Sequence, residues 1–558
     1  MPAVAVYVIR SRGSGGHALQ ETKKQKYLKG AAILAAASIF VKIIGAIYKI
    51  PIFNILDDEG RGSFLVTYNV YSFLLTISTA GVPAAMSRLI SSANAGNRTR
   101  LVKQYFSAAL PAFIIIGALA MFAMFFFADT FAGFMNDSLS APGIRVLAPA
   151  VLFACIISIY RGYAQGYENM IPTAASQIVE VLCKAVFGIA FALWLASLDY
   201  PMHIVSAGAI MGVTIGLGLC VPFLIWYKRK MDRKMAVTVS ESEVVPGHLR
   251  VFGNIMKVSI PITISASFMA IMTFIDTAVV LGRLQTGALM LTEAAARAEF
   301  GIYTLAQSVY NLPLALIIPV SISIIPAIAA ALTRGQGGEA KSIMQSSVKL
   351  VNLLAMPAAT GLMVLATPIL IVLFKDDRQL TTTIMTILGA ASFFACLQYI
   401  TTAILQANGH ERIALLTFPI GALIKIILGY ILAGNPNYGI IGSPIGTLAC
   451  FIVISALNMV FIITKVKEKP KFSSVFFRPL LCSAVMAGAA GLVYALVFRV
   501  GTGILGTGRF AVTLYLAAAI IVGVAVYGVL IIVTRTITME DMKLIPKGEK
   551  LAKILRVR

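Results

Sequence analysis

The sequence reads Gly162-Tyr-Ala-Gln-Gly-Tyr-Glu-Asn-Met170 in its first half and Ile404-Leu-Gln-Ala-Asn-Gly-His-Glu-Arg412 in its second half. In both stretches a long apolar segment runs into a short polar turn, and a second apolar segment follows. The turn cores begin at Gly166 and Gly409, which are 243 positions apart. A pattern repeated over that distance predicts two related halves, and paired halves in a membrane are typical of alternating-access transporters.

The composition of the chain indicates a membrane protein. Of its 558 residues, 59% are hydrophobic and only 12% are charged, and the mean hydropathy is +0.88. A soluble domain carries more charge than this, about 25%. Apolar runs of about 20 residues, enough to cross roughly 30 Å of hydrocarbon as a helix, recur along nearly the whole chain. We predict an all-α integral membrane protein with about 14 transmembrane helices, because the runs lack the two-residue alternation of a barrel.

Twelve of the predicted spans fall into two matching sets of six. The pattern Tyr68-Asn-Val-Tyr71, with Val82-Pro83-Ala84 after it, resembles Ser308-Val-Tyr-Asn311 with Ile325-Pro326-Ala327 after it. Six is an even number, so both sets enter from the same side and form two pseudo-symmetric bundles around a central cavity. The predicted boundaries are a disordered N-terminal extension (1–26), the N-lobe with spans 1–6 (27–227), a basic cytoplasmic linker (228–257), the C-lobe with spans 7–12 (258–464), two extra helices (465–535) and a basic cytoplasmic tail (536–558).

Charge alternates between the loops. The formal net charge is +23, but the basic residues cluster before the first span and in alternate loops, for example at 228–234, and are not spread like a nucleic-acid groove. The intervening loops are acidic or mixed, as at 57–59 and 376–377. The positive-inside rule then places both termini in the cytoplasm, as an even number of spans requires. No nucleic-acid partner is expected.

The sequence contains no recognisable catalytic or metal-binding motif. Its six cysteines lie in apolar spans without metal-type spacing. It has no phosphate-binding Gly-rich loop followed by Lys, no zinc-protease helix and no nucleophile elbow. We therefore expect neither a catalytic nor a metal site, no ATP-driven step within this chain, and no cofactor beyond a coupling cation, Na⁺ or H⁺.

Three motifs carry a family resemblance. They are Tyr27-Leu-Lys-Gly30, Ser78-Thr-Ala-Gly-Val-Pro-Ala-Ala-Met-Ser-Arg88 and Arg161-Gly-Tyr-Ala-Gln-Gly-Tyr-Glu-Asn-Met-Ile-Pro-Thr-Ala-Ala-Ser-Gln-Ile-Val-Glu180. They resemble the stage V sporulation protein B and polysaccharide biosynthesis branch of the multidrug, oligosaccharidyl-lipid and polysaccharide (MOP) exporter superfamily. The resemblance implies a bacterial multi-pass flippase of lipid-linked saccharides, in a branch that includes the MurJ-type lipid II flippases of cell-wall synthesis.

Two lysines in the first span are candidate substrate ligands. A charge in hydrocarbon costs several kcal/mol unless it faces a wet cavity or a partner, so each is a functional candidate. MurJ-type flippases carry two cavity-facing arginines in this span. Lys42, Gly45 and Lys49 occupy the matching stretch, with Lys for Arg and the second basic position shifted by one residue. The resemblance implies cavity roles for both lysines, and the alternative for Lys49 is a side chain that reaches the membrane interface.

Four further charged residues within the spans are candidates for function. Glu180 and Lys184 are four positions apart on one helix face, so we expect them to pair, either as structural glue or as a gate whose pairing changes between states. Lys184 is also a candidate substrate-binding residue of the cavity, and Glu180 is a candidate gating or coupling residue. Lys425 has no acid near it in the sequence, which favours a substrate-binding role in the cavity. Asp276 is a candidate for holding the coupling cation, and a partner role for a cavity lysine, Lys42 in particular, is the alternative.

Several polar residues complete the candidate site. Asn69 and Asn311 could hydrogen-bond sugars in the cavity, although contact between helices is the commoner role of such side chains. Arg161 lies close enough to the cytoplasmic end of its span to act mainly as an anchor.

Three classes of function compete. A flippase for a polyprenyl-diphosphate-linked saccharide suits an excess of cavity lysines, because the diphosphate is anionic. A cation-coupled multidrug exporter of the same superfamily needs cavity acids, and only Glu180 and Asp276 are available. A membrane polymerase or ligase needs a catalytic outer loop, and every outer loop is short.

We therefore predict a transporter and not an enzyme. It moves a lipid-linked anionic saccharide, lipid II foremost, from the inner to the outer leaflet of a bacterial cell membrane, and a different lipid-linked polysaccharide unit is the alternative cargo. We expect a monomer among membrane lipids, with cell-wall synthesis proteins as possible neighbours.

Overall fold

The computed structural model describes residues 34, 36–96, 98–234, 246–467, 469, 473–534 and 536. The predicted N-terminal extension, residues 235–245 of the linker and nearly all of the C-terminal tail lie outside the described residues.

Long helices make up nearly all of the described chain. We number them α1 (Ala36–Ile55), α2 (Asp58–Thr79, continued after a break by Val82–Ala95), α3 (Thr99–Phe126), α4 (Ala141–Gly166), α5 (Ile171–Ser197), α6 (Met202–Lys234), α7 (His248–Thr286), α8 (Glu293–Thr333), α9 (Gly337–Val364), α10 (Gln379–Ala407), α11 (Glu411–Ala433), α12 (Gly442–Lys465), α13 (Ser473–Leu505) and α14 (Arg509–Val533). Among the described residues, thirteen helices are long and apolar enough to cross a membrane. The remaining predicted span, residues 258–281, lies within α7.

The helices pack as two bundles of the same design. In the N-lobe, α6 packs against α4 and α5, while α4 also packs against α2 and α3. In the C-lobe, α12 packs against α10 and α11, while α10 also packs against α8 and α9. The last two helices, α13 and α14, pack against each other, and α13 packs on α9. The predicted fold of two pseudo-symmetric bundles with two extra helices is confirmed.

The two repeated turns align differently from the sequence prediction. In the first turn the Glu168 amide donates to the Gln165 carbonyl, and Glu168 has a left-handed backbone with φ of 59°. In the second turn the Gly409 amide donates to the Gln406 carbonyl, and Gly409 has φ of 76°. Glu168 therefore matches Gly409, so the repeat offset is 241 positions and the sequence-based offset of 243 is wrong. The shared glycines misled the alignment, because the left-handed position holds Glu in one repeat and Gly in the other.

A close helix crossing in each lobe supports the corrected offset. A Cβ placed on Gly212 of α6 would lie 2.7 Å from the Lys184 carbonyl oxygen of α5. A Cβ placed on Gly446 of α12 would lie 3.0 Å from the Lys425 carbonyl oxygen of α11. Small residues at such crossings let helix backbones approach closely. Lys184 and Lys425, also 241 positions apart, therefore occupy the same place in the two lobes.

The two turns generate a stability prediction. A non-glycine residue in the left-handed conformation costs roughly 1 kcal/mol. We expect Glu168→Gly to raise the free energy of unfolding by up to about 1 kcal/mol and Gly409→Ala to lower it by about 1 kcal/mol. Both are measured by thermal melting of the purified protein in detergent.

Gly133→Ala is the matched control, because Gly133 lies in a short helix, Ala128–Phe134, with open space around it. It should be neutral or stabilising. Equal losses from Gly409→Ala and Gly133→Ala would contradict the backbone explanation.

Candidate functional site

A cavity of about 270 Å³ lies between the two lobes. Lys42, Gly45 and Lys49 of α1 line it from the N-lobe. Its C-lobe wall includes Ser308 and Asn311 of α8 and Tyr399 of α10. The structure thus brings three of the predicted site residues, Lys42, Lys49 and Asn311, to one cavity.

The cavity carries uncompensated positive charge. Lys42 and Lys49 are both half-buried, and within the described part of the chain neither has a carboxylate at ion-pair distance. Lys184 lies close enough to Lys49 for the two charges to repel each other. Lys42 and Lys49 thus place two partly desolvated ammonium groups in one cavity, and they favour an anionic ligand, since it would offset their lost hydration.

Lys184 does not pair with Glu180, which corrects the prediction from their spacing. Its Nζ lies over the rings of Tyr48 and Tyr68, 4.7 and 4.8 Å from the ring centroids. Such cation–π contacts favour a cation that has lost water. Lys184 is absent from the lining of the described cavity and sits behind Tyr48 of α1.

Glu180 instead belongs to a cluster centred on Arg161. The Arg161 Nη2 atom of α4 lies 2.9 Å from Glu180 Oε2 of α5, and its Nε donates to Ser176 Oγ at 2.9 Å. The planar guanidinium of Arg161 can bridge two acceptors on consecutive turns of α5. The Lys184 ammonium, which would have to reach along its own helix, cannot do so. Arg161 therefore pairs inside the N-lobe, a contact that its expected role as a membrane anchor did not include.

Lys425 and Asp276 form an ion pair inside the C-lobe. The Lys425 Nζ atom of α11 lies 2.8 Å from Asp276 Oδ2 of α7, and Asp276 is 6% exposed. Lys425 therefore has an acid partner that its sequence neighbourhood did not reveal, and it is absent from the cavity lining. The expectation that Asp276 pairs with Lys42 is also wrong.

The two predicted asparagines have different surroundings. Asn69 Nδ2 of α2 donates to Thr277 Oγ1 of α7 at 2.9 Å, so it joins the N-lobe to α7. Asn311 donates to the Gln307 carbonyl of its own helix at 2.8 Å, and its side chain is exposed in the cavity. Contact between helices accounts for Asn69. Asn311 makes no second side-chain hydrogen bond among the described residues, so its side-chain amide oxygen and second amide hydrogen are available to a ligand.

Two arginine clusters join the lobes at the end of the bundle that carries residues 57–59, 137 and 376–377, which we call the acidic end. Arg297 of α8 is 2% exposed and lies 2.5 Å from Asp137, 3.0 Å from Glu59 and 2.8 Å from Glu293. Arg378, just before α10, pairs with Asp58 and Asp376. Neither arginine was singled out from the sequence. The sequence feature that could have identified them is a basic residue at the end of a span, close to acidic loops.

The carboxylates of these clusters have different environments. Burial raises the pKa of Asp376, but hydrogen bonds from the Arg378 side chain and backbone outweigh it and leave that pKa below its ordinary value. Hydrogen bonds to Asp58 and then to Asp376 raise the pKa of Arg378. At Asp137 burial outweighs the attraction of Arg297, and the pKa is raised. Asp376 and Arg378 thus keep their charges at neutral pH.

Glycines bring the lobe backbones into direct contact at the acidic end. A Cβ placed on Gly301 of α8 would lie 1.8 Å from the Asp58 carbonyl oxygen of α2. A Cβ placed on Gly62 of α2 would lie 2.1 Å from the Arg297 carbonyl oxygen. No side chain fits in either gap, so the structure is closed at the acidic end.

Comparison with known sequences finds a matching family and bacterial relatives. The family described as polysaccharide biosynthesis protein matches residues 27–332. The chain is 27% identical over 544 residues to the uncharacterized membrane protein YabM of Bacillus subtilis (strain 168), covering 96% of this chain and 98% of that protein. Two other proteins of that organism are 24% identical: stage V sporulation protein B over 94% of this chain and 98% of its own, and lipid II flippase MurJ over 72% and 76%.

Solved structures share the fold. A structure of lipid II flippase MurJ in an inward closed conformation covers 90% of this chain and 99% of its own, with a TM-score of 0.67 and 15% identity. An inward-facing multidrug resistance MATE family transporter of the MOP superfamily covers 77% of this chain and 97% of its own, with a TM-score of 0.62 and 14% identity. At these identities the likeness establishes the fold.

The lysine environments generate a second prediction. We expect Lys425→Met to lower the free energy of unfolding by about 3–5 kcal/mol, because it leaves the Asp276 carboxylate buried without a cation. Lys42→Met, the same substitution in the cavity, strands no acid and should change that free energy by less than about 0.5 kcal/mol. Thermal melting in detergent measures both, and similar losses for the two variants would contradict the assigned environments.

Proposed function

The chain belongs to the polysaccharide biosynthesis protein family within the MOP exporter superfamily, and on this premise we propose that it is a flippase for a polyprenyl-diphosphate-linked saccharide. The observation that carries the proposal is the pair of cavity lysines, Lys42 and Lys49, without an acid partner in the described residues. Lipid II is the cargo we favour, because the 24% identical relative that spans 72% of this chain is a lipid II flippase.

The cavity chemistry suits such a headgroup. A diphosphate presents several anionic oxygens, and each lysine ammonium offers three hydrogen-bond donors as a compact charge. Charge-assisted hydrogen bonds of this kind are the strong ones in a partly dry site. Ser308, Asn311 and Tyr399 on the opposite wall add hydroxyl and amide groups, which suit sugar hydroxyls. The headgroup would then lie between a cationic N-lobe wall and a neutral polar C-lobe wall.

Alternating access follows from the two-lobe design. The acidic end is closed by the Arg297 and Arg378 clusters and by the glycine contacts at positions 62 and 301. Transport to the opposite side requires the lobes to separate there, as rocking of paired repeats allows. Loop charge assigns the acidic end to the outside and the two termini to the cytoplasm of a bacterial cell. We propose that the structure is the state before outward opening.

A multidrug exporter is the second candidate, since MATE transporters share the fold. A cavity for cationic drugs needs acids on its wall. The lining of the described cavity holds two lysines and no acid, which favours an anionic cargo. A polymerase or ligase has no supporting observation, and we propose a transporter that acts as a monomer among lipids, with cell-wall synthesis proteins as candidate neighbours.

The driving force we propose is the membrane potential or an ion gradient. An anionic headgroup that moves outward is favoured by a potential that is negative inside, by roughly 2.3 kcal/mol for each charge across 100 mV. A coupling cation, Na⁺ or H⁺, would need an acid to hold it, and Asp276 is the acid that the sequence offers. In the structure the Asp276 carboxylate already has the Lys425 ammonium as its partner. This pair of residues therefore does not fit a free metal cation.

The cavity lysines provide the test of function. In a bacterial strain depleted of its lipid II flippase, wild-type protein should restore lipid II at the outer leaflet, measured with an impermeant lipid II probe. Lys42→Ala and Lys49→Ala should each reduce that transport about 10- to 100-fold, because each removes a charge-assisted hydrogen bond of about 1.5–3 kcal/mol.

Lys230→Ala is the control, since Lys230 is an exposed lysine at the far end of α6 from the acidic end. It should transport normally. Failure of the wild-type protein to restore lipid II would reject this cargo in favour of another lipid-linked saccharide. Normal transport by both cavity variants would reject the binding site.

The closed acidic end provides a further prediction. Gly301→Ala should disfavour closure, because its methyl group would overlap the Asp58 backbone. A cysteine at the cavity position Asn311 should then react at least severalfold faster with an impermeant thiol reagent applied to intact cells. Gly361→Ala in α9, which meets open space, should leave the labelling rate unchanged. Equal rates in both backgrounds would speak against a lobe contact that opens.

A further inference from the structure

In the C-lobe, the cation beside the Asp276 carboxylate is the ammonium of another side chain, Lys425. Asp276 is held by Lys425 at 2.8 Å, and their side chains are 8% and 19% exposed. Among the described residues no group of three or more His, Cys, Asp or Glu could hold a metal ion. The ammonium therefore occupies the coordination position on Oδ2 that a free cation would need.

The surroundings leave the carboxylate with this one partner. Its second oxygen, Oδ1, is buried and has no hydrogen-bond partner among the described residues. A Cβ placed on Gly429, one turn after Lys425 on α11, would lie 3.6 Å from Oδ1. The helix thus offers a side-chain-free surface to that oxygen. A buried carboxylate with one unsatisfied oxygen depends strongly on the cation at the other.

The repeat supplies an internal comparison. Lys184 occupies the equivalent position in the N-lobe, but tyrosine rings face its ammonium in place of a carboxylate. The lysine is thus common to both lobes, and the acid is particular to the C-lobe. Removal of Lys425 therefore leaves an uncompensated carboxylate, whereas removal of Lys184 does not.

The helix that carries Asp276 is held by both lobes. Phe274 of α7 stacks between Phe73 of α2 and Phe134, with ring centroids 4.5 and 5.3 Å away. Thr277 accepts the hydrogen bond from Asn69 of α2. The N-lobe therefore packs against one face of α7, while the ion pair between Asp276 and Lys425 links α7 to α11.

We propose that the Lys425 ammonium is a tethered substitute for a coupling cation, so that the C-lobe binds no free sodium ion while it links α7 to α11. The cation would then never dissociate during the cycle, and the charge of the cargo itself would sense the membrane potential. This inference rests on the proposed function in that an anionic cargo is transported, but it does not depend on which saccharide is carried.

The test measures thermal melting of purified protein in detergent, with sodium chloride compared with choline chloride at equal ionic strength. Wild-type protein should melt at the same temperature in both salts. Lys425→Ala should melt lower in choline and regain at least ~2 °C, saturably, when sodium or methylammonium is added. The double variant Asp276→Asn, Lys425→Ala should show no such response, because it has no carboxylate to fill.

Lys184→Ala is the matched control, and it should be insensitive to both cations. A saturable rise in the melting temperature of wild-type protein with sodium would overturn the proposal, as would a Lys425→Ala variant that responds to neither cation. Should Lys425→Ala fail to fold, Lys425→Met keeps the side-chain volume for the same titration, and the wild-type measurement still decides. The assay contains no lipid substrate, so its outcome is separate from the test of flippase activity.

Discussion

A charge in hydrocarbon is stable only if it meets a partner or water, and the interior of this protein is organised around that constraint. Arg161 pairs with Glu180, and Lys425 pairs with Asp276, and in each pair the two residues belong to different helices. Lys184 rests on two tyrosine rings. Lys42 and Lys49 of α1 have no carboxylate at ion-pair distance among the described residues, and both line the cavity. In the proposed function, these two charges that the fold does not neutralise bind the cargo.

The same two-lobe scaffold therefore serves two electrostatic purposes. The glycine crossings at Gly212 and Gly446 hold α5 and α11 in equivalent positions and present a lysine at the same place in each lobe. In the N-lobe that lysine has no acid partner among the described residues and adds positive charge near Lys49, whereas in the C-lobe Asp276 cancels it. Pseudo-symmetry of the backbone with asymmetry of charge produces one wall that attracts an anion and one that does not. An exactly symmetric pair of lobes would lack this polarity.

Closure at the acidic end rests on a different balance. Arg297 is nearly inaccessible to solvent and has three carboxylate neighbours, so that contact is strong while the lobes are together. When the lobes separate, water reaches both partners and compensates much of the loss, since exposed ion pairs contribute only about 0–1 kcal/mol. Such contacts suit a seal that must break and reform. The backbone contacts at Gly62 and Gly301 set the distance at which the seal closes.

The sequence alone determined that the protein lies in a membrane, that it is helical and that it contains a repeat. It also carried the family resemblance, because span length, turn chemistry and motifs are local properties of the chain. It also identified Lys42, Lys49 and Asn311, which share the cavity. Ion partners were decided only by the tertiary structure. The i, i+4 spacing of Glu180 and Lys184 suggested a pair, but the guanidinium of Arg161, from a neighbouring helix, reaches Glu180 instead. Asp276 and Lys425 lie far apart in the chain, and their contact depends on which helices are neighbours and how each is rotated, which local periodicity does not encode.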